Sequence, residues 1–432
     1  MIVSPVIQVA INGELVPYQK IVNFKFDSSI NDHLPSAWLG LADPDGDMIS
    51  RFNIVLGTMV IINIIDGNED DNQKHNMIKL SPFIVSKVFD GGEKNSSEVG
   101  GFIQLRLLHP WVFYNDMSPH AYSPMKISKL VKTIITDSTR GYELTVDDSY
   151  FGTTDDKGNY PRYKCGQSDY DFIINNLLPY ATIGNNPVYF FINELGNIYF
   201  NTYKFLFNSG CKGMIVSDKA NDNRDEFDTM GNIASNIGTE NSIAFSKISI
   251  NIGGEDSKDN LRKVLPKIYM EDLGTHNFLS GIKGPITKIA SNTGDKMPFS
   301  FYMMASMSAT NSVELVNRAF DDQFGLAINN SKSLDSLFEI TLSTAGFIGA
   351  DMPTGSNVYL YVSPKNIDNN ATTKKLSHWL TGKWVIGKSE HYTSRSGDPN
   401  SLVSTVTLVR PTFVIKSESE TTVEDSSLLW TV

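Results

Sequence analysis

Apolar and polar residues alternate with a two-residue period along much of this chain, most clearly from Trp384 to Val414. Trp384 and Ile386, then Val403, Thr405 and Thr407, are expected to turn one face of each of two strands toward a core. Between them, Ser394 to Asn400 is turn chemistry, because Gly397 and Asn400 tolerate positive φ and Pro399 cannot donate to a ladder.

The same hairpin pattern occurs earlier, from Phe83 to Phe113. Phe83 to Lys87 aligns with Trp384 to Lys388, and Leu107 to Pro110 aligns with Leu408 to Pro411. Lys87 precedes Pro110 by the same interval that separates Lys388 from Pro411. Upstream of each hairpin a glycine, Gly57 or Gly355, leads into an apolar strand. Further upstream still, Ala37 to Leu41 matches Leu337 to Leu342 as another strand. Strand-like elements recurring in one order imply an internal duplication.

The fold class expected is mainly β with α+β insertions, as two homologous antiparallel β-barrels joined by an α/β domain. Residues 1–116 form the first barrel, in which Asn12-Gly13 signals a hairpin between Val6 to Ile11 and Ile21 to Phe26. Residues 117–207 form the α/β domain. It opens on a helix from Met125 to Thr136, with Ser123 as N-cap and Pro124 at the first helical position. Ser168 caps a second helix whose apolar face is Phe172, Ile173, Asn176 and Leu177. A strand, a turn at Glu194 to Asn197 and another strand follow, through Phe200. Residues 208–253 are a connection plus the first strand of the second barrel, Ser242 to Ile252. Residues 254–324 are an insertion with a helix at about Asn311 to Phe324. Residues 325–414 complete the second barrel, and 415–432 are a flexible acidic tail.

The 432 residues carry 37 Lys and Arg against 48 Asp and Glu, a formal charge of −11. That balance argues against a surface that grips nucleic acid, which needs clustered cations. Cys165 and Cys211 have no metal spacing and read as plain thiols. No apolar run approaches the roughly 18 residues of a membrane span, and the N-terminus lacks the basic region of a signal peptide. The motifs of hydrolase, zinc, phosphate and dinucleotide sites are missing. The seven histidines are scattered, and His391 reads as packed or exposed rather than catalytic. The acidic loop Asp66 to Asn72 lacks the glutamate a calcium loop needs at its last ligand position. Asp155 to Asn159 reads as a turn before an acid–base site, and the aromatics Tyr189 to Phe200, with no interleaved cations, read as core before a base-stacking platform. The expectation is a chain that is not an enzyme and has no cofactor, metal or catalytic residues.

A duplicated barrel around an α/β domain bearing Gln167-Ser168-Asp169-Tyr170-Asp171-Phe172 resembles the baseplate hub proteins of contractile-tailed phages. That superfamily includes late-control tail proteins and the hub half of type VI spike proteins. The resemblance implies tail-tube-like barrels and a homotrimer in which two barrels per chain present a sixfold face. It also implies a tail tube or tube-initiator protein, a central spike protein and surrounding baseplate wedge proteins as partners. DNA would meet the chain only in transit, through a wide channel whose lining is not basic, and no stable membrane binding is expected. The location implied is the virion tail baseplate, assembled in the bacterial cytoplasm. The chain stops about twenty residues beyond the second barrel instead of continuing into a needle, which suggests a spike on a separate chain. The alternatives are a tail-associated cell-wall hydrolase and the hub half of a related secretion spike complex. At the C-terminus, Leu428, Leu429 and Trp430 follow a Ser/Glu/Thr-rich stretch. They either fold back on the chain's own barrel or dock on a partner.

Overall fold

The computed structural model describes residues 6–65, 77–80, 83–90, 101–113, 117–137, 146–184, 186–217, 242–245, 247–252, 332, 335–336, 338–362, 380–393 and 401–410. The first set of strands is β1 (Val6–Ile11), β2 (Glu14–Leu15), β3 (Ile21–Ser29), β4 (Ser36–Asp43), β5 (Met59–Ile65), β6 (Met77–Lys79), β7 (Phe83–Asp90) and β8 (Gly101–Leu108). A short helix α1 (Met48–Arg51) lies between β4 and β5. An insertion follows, with β9 (His120–Tyr122), α2 (Ile127–Thr136), β10 (Arg162–Lys164), α3 (Asp169–Phe172), β11 (Thr182–Ile183), β12 (Asn186–Ile192), β13 (Ile198–Thr202) and α4 (Tyr203–Asn208). The second set is β14 (Gly213–Ser217), β15 (Ser242–Phe245), β16 (Lys247–Ile252), β17 (Phe338–Ala345), β18 (Asn357–Tyr361), β19 (Gly382–Thr393) and β20 (Leu402–Arg410).

The two sets repeat one another strand for strand. In the first, neighbours run β3-β4-β8-β7-β5; in the second, β16-β17-β20-β19-β18. The residues facing across the ladders correspond as well. Val85 opposes Leu107, which opposes Ala37, which opposes Phe26. In the second set Ile386, Leu408, Ile340 and Ile250 form the same row. Each hairpin is interrupted by a bulge at one place, between Val85 and Lys87 and between Ile386 and Lys388. A bulge puts two residues opposite one and shifts every later side chain, so a shared bulge fixes a shared register.

Several expectations need correcting. Two separate barrels are not what the strands form. The described strands build one continuous 15-stranded sheet, with no pairing of β1 or β2 to β3. Nor is the second set wholly antiparallel, since β14 lies parallel to both β15 and β18. The Asn12-Gly13 turn, with φ +51 and +83, joins β1 to the short β2 and not to β3. Ser242 to Ile252 is two strands pairing different neighbours. Ala37 corresponds to Ile340 and not to Leu337, because alternating apolar strands align almost equally well at several offsets. On β20 the core face is Leu402, Ser404, Val406 and Leu408, whereas Val403, Thr405 and Thr407 are half-buried on the other face. Ser404 held by polar partners inside makes the sequence read one residue out of phase.

The insertion has its own core, in which Leu130, Val131, Ile134, Phe172, Leu177, Phe190 and Phe200 pack together. Helix α2 begins three residues later than a Ser123 cap would place it. Its first amides are met from a distant loop: the Asp156 carboxylate accepts from Ile127 N–H at 3.1 Å and Thr154 Oγ1 from Ser128 N–H at 3.1 Å. Ser168 does cap α3, accepting from Asp171 N–H at 3.0 Å. The helix then passes through a π turn, Ile173–Leu177. The extra residue per turn moves the buried face to Leu177 and Leu178 and leaves Asn176 exposed, outside the apolar face expected for it. The expected helix at 311 to 324 and the insertion 254–324 lie outside the described residues. So do the acidic loop 66–72, the turn 394–400 and the tail 415–432.

Candidate functional site

The two strand sets meet along one seam, where β3 pairs antiparallel with the second half of β19. Strand β19 is long enough to serve two partners on one edge: Gly382 to Val385 faces β18, and Lys388 to Tyr392 faces β3. Just above the ladder, Ile30 N–H donates to Gly387 O at 2.9 Å. Strands β7 and β19 both run antiparallel to β3, so the two sets keep a common strand direction across the seam. This is a head-to-tail contact, in which one set offers its β3 edge and the other its β19 edge, and not a two-fold one.

Each face of the seam is chemically distinct. On one face Lys25 lies 3.1 Å from Asp27 and 3.8 Å from Glu390, and Lys388 pairs with Glu390. Burial pushes the Asp27 carboxyl up, against the pull of Lys25. Burial acts the same way on Glu390, but Lys388 and Lys25 outweigh it and hold that group below its usual value. On the other face Phe26 packs 5.9 Å from His391, and Leu402 joins the core of the first set.

The insertion is pinned to the second set beside this seam. Glu194, wholly buried at the β12–β13 turn, accepts from Thr354 N–H at 2.8 Å and from the Thr354 hydroxyl at 2.7 Å. With one proton to give, that hydroxyl accepts in turn from Ser389 Oγ at 3.0 Å. Asn357 Nδ2 donates to Phe207 O and Ser209 O, and Tyr203 Oη donates to Val409 O at 2.8 Å. Gly355, at φ +87, lies under the Phe191 ring, where a Cβ would come within 2.5 Å of Cζ. Its counterpart Gly57, at φ +88, has nothing within 4 Å of that position. The neighbouring Leu56 is 70% and Val55 57% exposed, whereas their counterparts Thr354 and Pro353 are buried.

A serine, a histidine and a glutamate meet in this region. Ser404 Oγ lies 2.7 Å from His391 Nδ1, and His391 Nε2 lies 3.7 Å from Glu194 Oε1. All three are fully buried, and Ser404 donates its proton to Gly346 O at 2.6 Å. A nucleophile needs its proton taken by the base and a path for substrate; here the proton is committed to a carbonyl and the cluster is sealed.

The other singled-out residues fall in two places. Gln167 is half-buried, Ser168 and Asp169 are buried, Tyr170 lies edge-on to Trp111 at 5.6 Å, and Phe172 stacks on Tyr122 at 5.8 Å. Asp169 forms an ion pair with Lys164 at 2.8 Å. These residues therefore organise the insertion's core, away from the seam. Lys87 and Lys388 occupy equivalent strand positions just past each bulge, Lys87 exposed 4.3 Å over the Phe89 ring. Pro110 is buried and starts the turn after β8. Pro411, Leu428, Leu429 and Trp430 lie outside the described residues. Glu194, Thr354 and Asn357 were not singled out by sequence; a lone carboxylate in the turn between the apolar runs Val188 to Ile192 and Ile198 to Phe200 was the available signal. Among the described residues no cluster of His, Cys, Asp or Glu could hold a metal ion, and no helix is long and apolar enough to cross a membrane.

No protein-family model and no curated protein matches the chain. Its structural neighbours are phage tail and type VI spike-related proteins. The tail protein from Neisseria meningitidis MC58 is 9% identical, with a TM-score of 0.48 over 94% of this chain and 96% of that one. The prophage MuSo2 43 kDa tail protein from Shewanella oneidensis is 10% identical, with a TM-score of 0.48 over 94% and 97%. An E. coli component of the type VI secretion system is 9% identical, with a TM-score of 0.43 over 95% of this chain and 77% of that chain.

Proposed function

We propose that this chain is a structural hub at the tip of a contractile phage tail. Three copies form a ring whose six tube-like modules face the sixfold tail tube, while the insertions face a threefold spike. The observation that carries this reading is the pair of strand sets sharing order, register and bulge, joined head to tail with strand direction preserved. A heterologous contact of that kind repeats until the rotation closes. The partners proposed are the tube or a tube-initiator protein, a spike protein and wedge proteins, with assembly in the host cytoplasm and a final place in the virion baseplate. DNA passes through the ring without lasting contact, as a net acidic chain suits. The role has no catalytic step. Native mass measurement across a concentration series, alone and with tail-tube protein, tests it. A three-copy species that binds tube protein is the expected result; a monomer or two-fold dimer at every concentration overturns it.

A further inference from the structure

The two strand sets share a framework, but one row of side chains on the face opposite their cores does not repeat. In the first set Lys25, Trp38, Arg106 and Lys87 stand across from one another on β3, β4, β8 and β7. Their chain neighbours Phe26, Ala37, Leu105 and Leu107 belong to the core of that set, so the row faces away from it. In the second set the same positions are Ser249, Thr341, Thr407 and Lys388. There the Thr341 and Thr407 hydroxyls lie 3.3 Å apart, and Lys388 is neutralised by Glu390. The first set has Phe89 where the second has Glu390, so Lys87 lies 4.3 Å over a ring instead of against a carboxylate. Arg106 likewise lies 5.7 Å over Trp38, and Trp38 packs on Phe89 at 5.7 Å. Arg106 and Lys87 are both exposed, and among the described residues neither makes an ion pair. Lys25, the third cation of the row, is taken up by Asp27 and Glu390.

Like charges directly opposite one another weaken a strand pair, and Arg106 opposes Lys87. A ligand bearing negative charge relieves that repulsion. The ring contacts hold both cations in place, while their N–H groups remain free to donate, in a planar fork at Arg106 that matches a carboxylate. Side chains ordered in advance lose less entropy on binding. We propose that this ledge on β4, β8 and β7 binds an extended acidic segment of another protein. Carboxylates two residues apart on such a segment project from one side about 7 Å apart, one for Arg106 and one for Lys87. The surroundings favour a polypeptide over nucleic acid. Asp27 and Glu390 lie on the same face, one and two strands beyond β4. Duplex DNA, with a charge about every 1.7 Å of its axis, cannot avoid them, whereas a peptide can carry neutral residues there. Trp38 is already engaged by Arg106 and Phe89 and is no open platform for a base.

The inference goes beyond the hub reading and does not depend on the number of copies. The test is fluorescence anisotropy of a labelled peptide alternating glutamate and threonine, titrated with the full chain at low salt. A peptide alternating glutamine and threonine and a labelled DNA duplex are the comparisons. Saturable binding of the glutamate peptide alone is expected, weakening as salt is added. Arg106→Gln/Lys87→Gln is expected to weaken it about fivefold to thirtyfold, as the loss of two exposed ion pairs implies. Lys129→Gln/Lys204→Gln, which removes the same charge from exposed positions on the insertion, should leave it within twofold. Circular dichroism confirms that both variants fold. Failure of the glutamate peptide to bind, or equal binding by Arg106→Gln/Lys87→Gln, overturns the proposal. Tighter binding of the duplex, lost in that same variant, assigns the ledge to phosphates and also overturns it. Peptide binding seen only after Asp66, Glu69, Asp70 and Asp71 are neutralised assigns the cations to the chain's own acidic loop, with the same consequence. A native mass lowered by Arg106→Gln/Lys87→Gln assigns them to a second copy and likewise overturns it.

Discussion

Replacing Gly355 and Gly57 separately with alanine isolates what the insertion does to the second strand set. Both glycines sit at nearly the same left-handed φ, +87 and +88, before equivalent strands. Alanine pays the same backbone strain at each, about 1–2 kcal/mol. At Gly57 that is the whole cost, since the new Cβ meets nothing within 4 Å. At Gly355 the Cβ would sit 2.5 Å from Phe191 Cζ, 3.0 Å from Cε2 and 3.8 Å from Leu206 Cδ2. Phe191 is fully buried and stacked on Tyr199 at 4.7 Å, so its ring cannot swing away freely. Overpacking of this kind adds about 1–3 kcal/mol. Gly355→Ala is therefore expected to destabilise by about 2–5 kcal/mol and Gly57→Ala by about 1–2. Urea unfolding followed by tryptophan fluorescence reads both, and Phe191→Leu in the Gly355→Ala background recovers part of the loss. Equal losses, or a larger one at Gly57, would refute the account of the Phe191 contact.

Other outcomes follow from single groups. His109 is buried and its Nδ1 accepts from Trp111 N–H at 3.2 Å, so the neutral ring is favoured; burial lowers its pKa to about 4. A depressed folded value means stability present above pH about 6.5 and lost as pH falls toward 4, on the order of 3 kcal/mol in all. His109→Asn, which keeps an acceptor, should flatten that limb of a pH–stability curve, and an unchanged acid limb would count against it. Lys164→Met strands the buried Asp169 carboxylate and should cost about 3–5 kcal/mol, with Lys164→Met/Asp169→Leu recovering most of it; denaturant midpoints of the three proteins decide. Glu194→Ala removes both acceptors of Thr354 and should lower stability by about 2–4 kcal/mol, with faster hydrogen exchange at Thr354 N–H; unaltered exchange would argue that the turn holds without the insertion.

The hairpin repeat was readable in the sequence because the Lys-to-Pro spacing agrees between Phe83–Pro110 and Trp384–Pro411, and a glycine turn, Gly57 or Gly355, leads into the strand upstream of each. Ser168 was readable for a related reason: its cap closes over three residues. What escaped depends on distance along the chain. The groups that start α2, Asp156 and Thr154, lie 29 and 26 residues beyond the amides they meet, so nothing local marks the true first turn. The π turn after Phe172 leaves no composition signal and moves Asn176 out of the apolar face. Ser404 is a polar residue on the core face of β20, and it inverts a reading of that strand based on alternation alone. The β3–β19 seam joins segments more than 350 residues apart, and strand edges carry no side-chain signature of their partner.

The unequal fate of two matching turns bears on symmetry. A ring built from six near-identical modules would offer any visitor six identical landing places. Here the insertion roofs Pro353 to Asn357 but leaves Val55 to Gly57 and Met59 uncovered, with Leu56 and Met59 70% and 40% exposed. Around such a ring, roofed and open turns alternate, so one rim reads as three while the strand framework still reads as six. Leu56→Asp should then leave ring mass unchanged and weaken capture of a threefold partner but not of the tube. In a ring of that kind the conversion from six to three would require no second protein: it would be written into the difference between one glycine with an aromatic ring above it and one without.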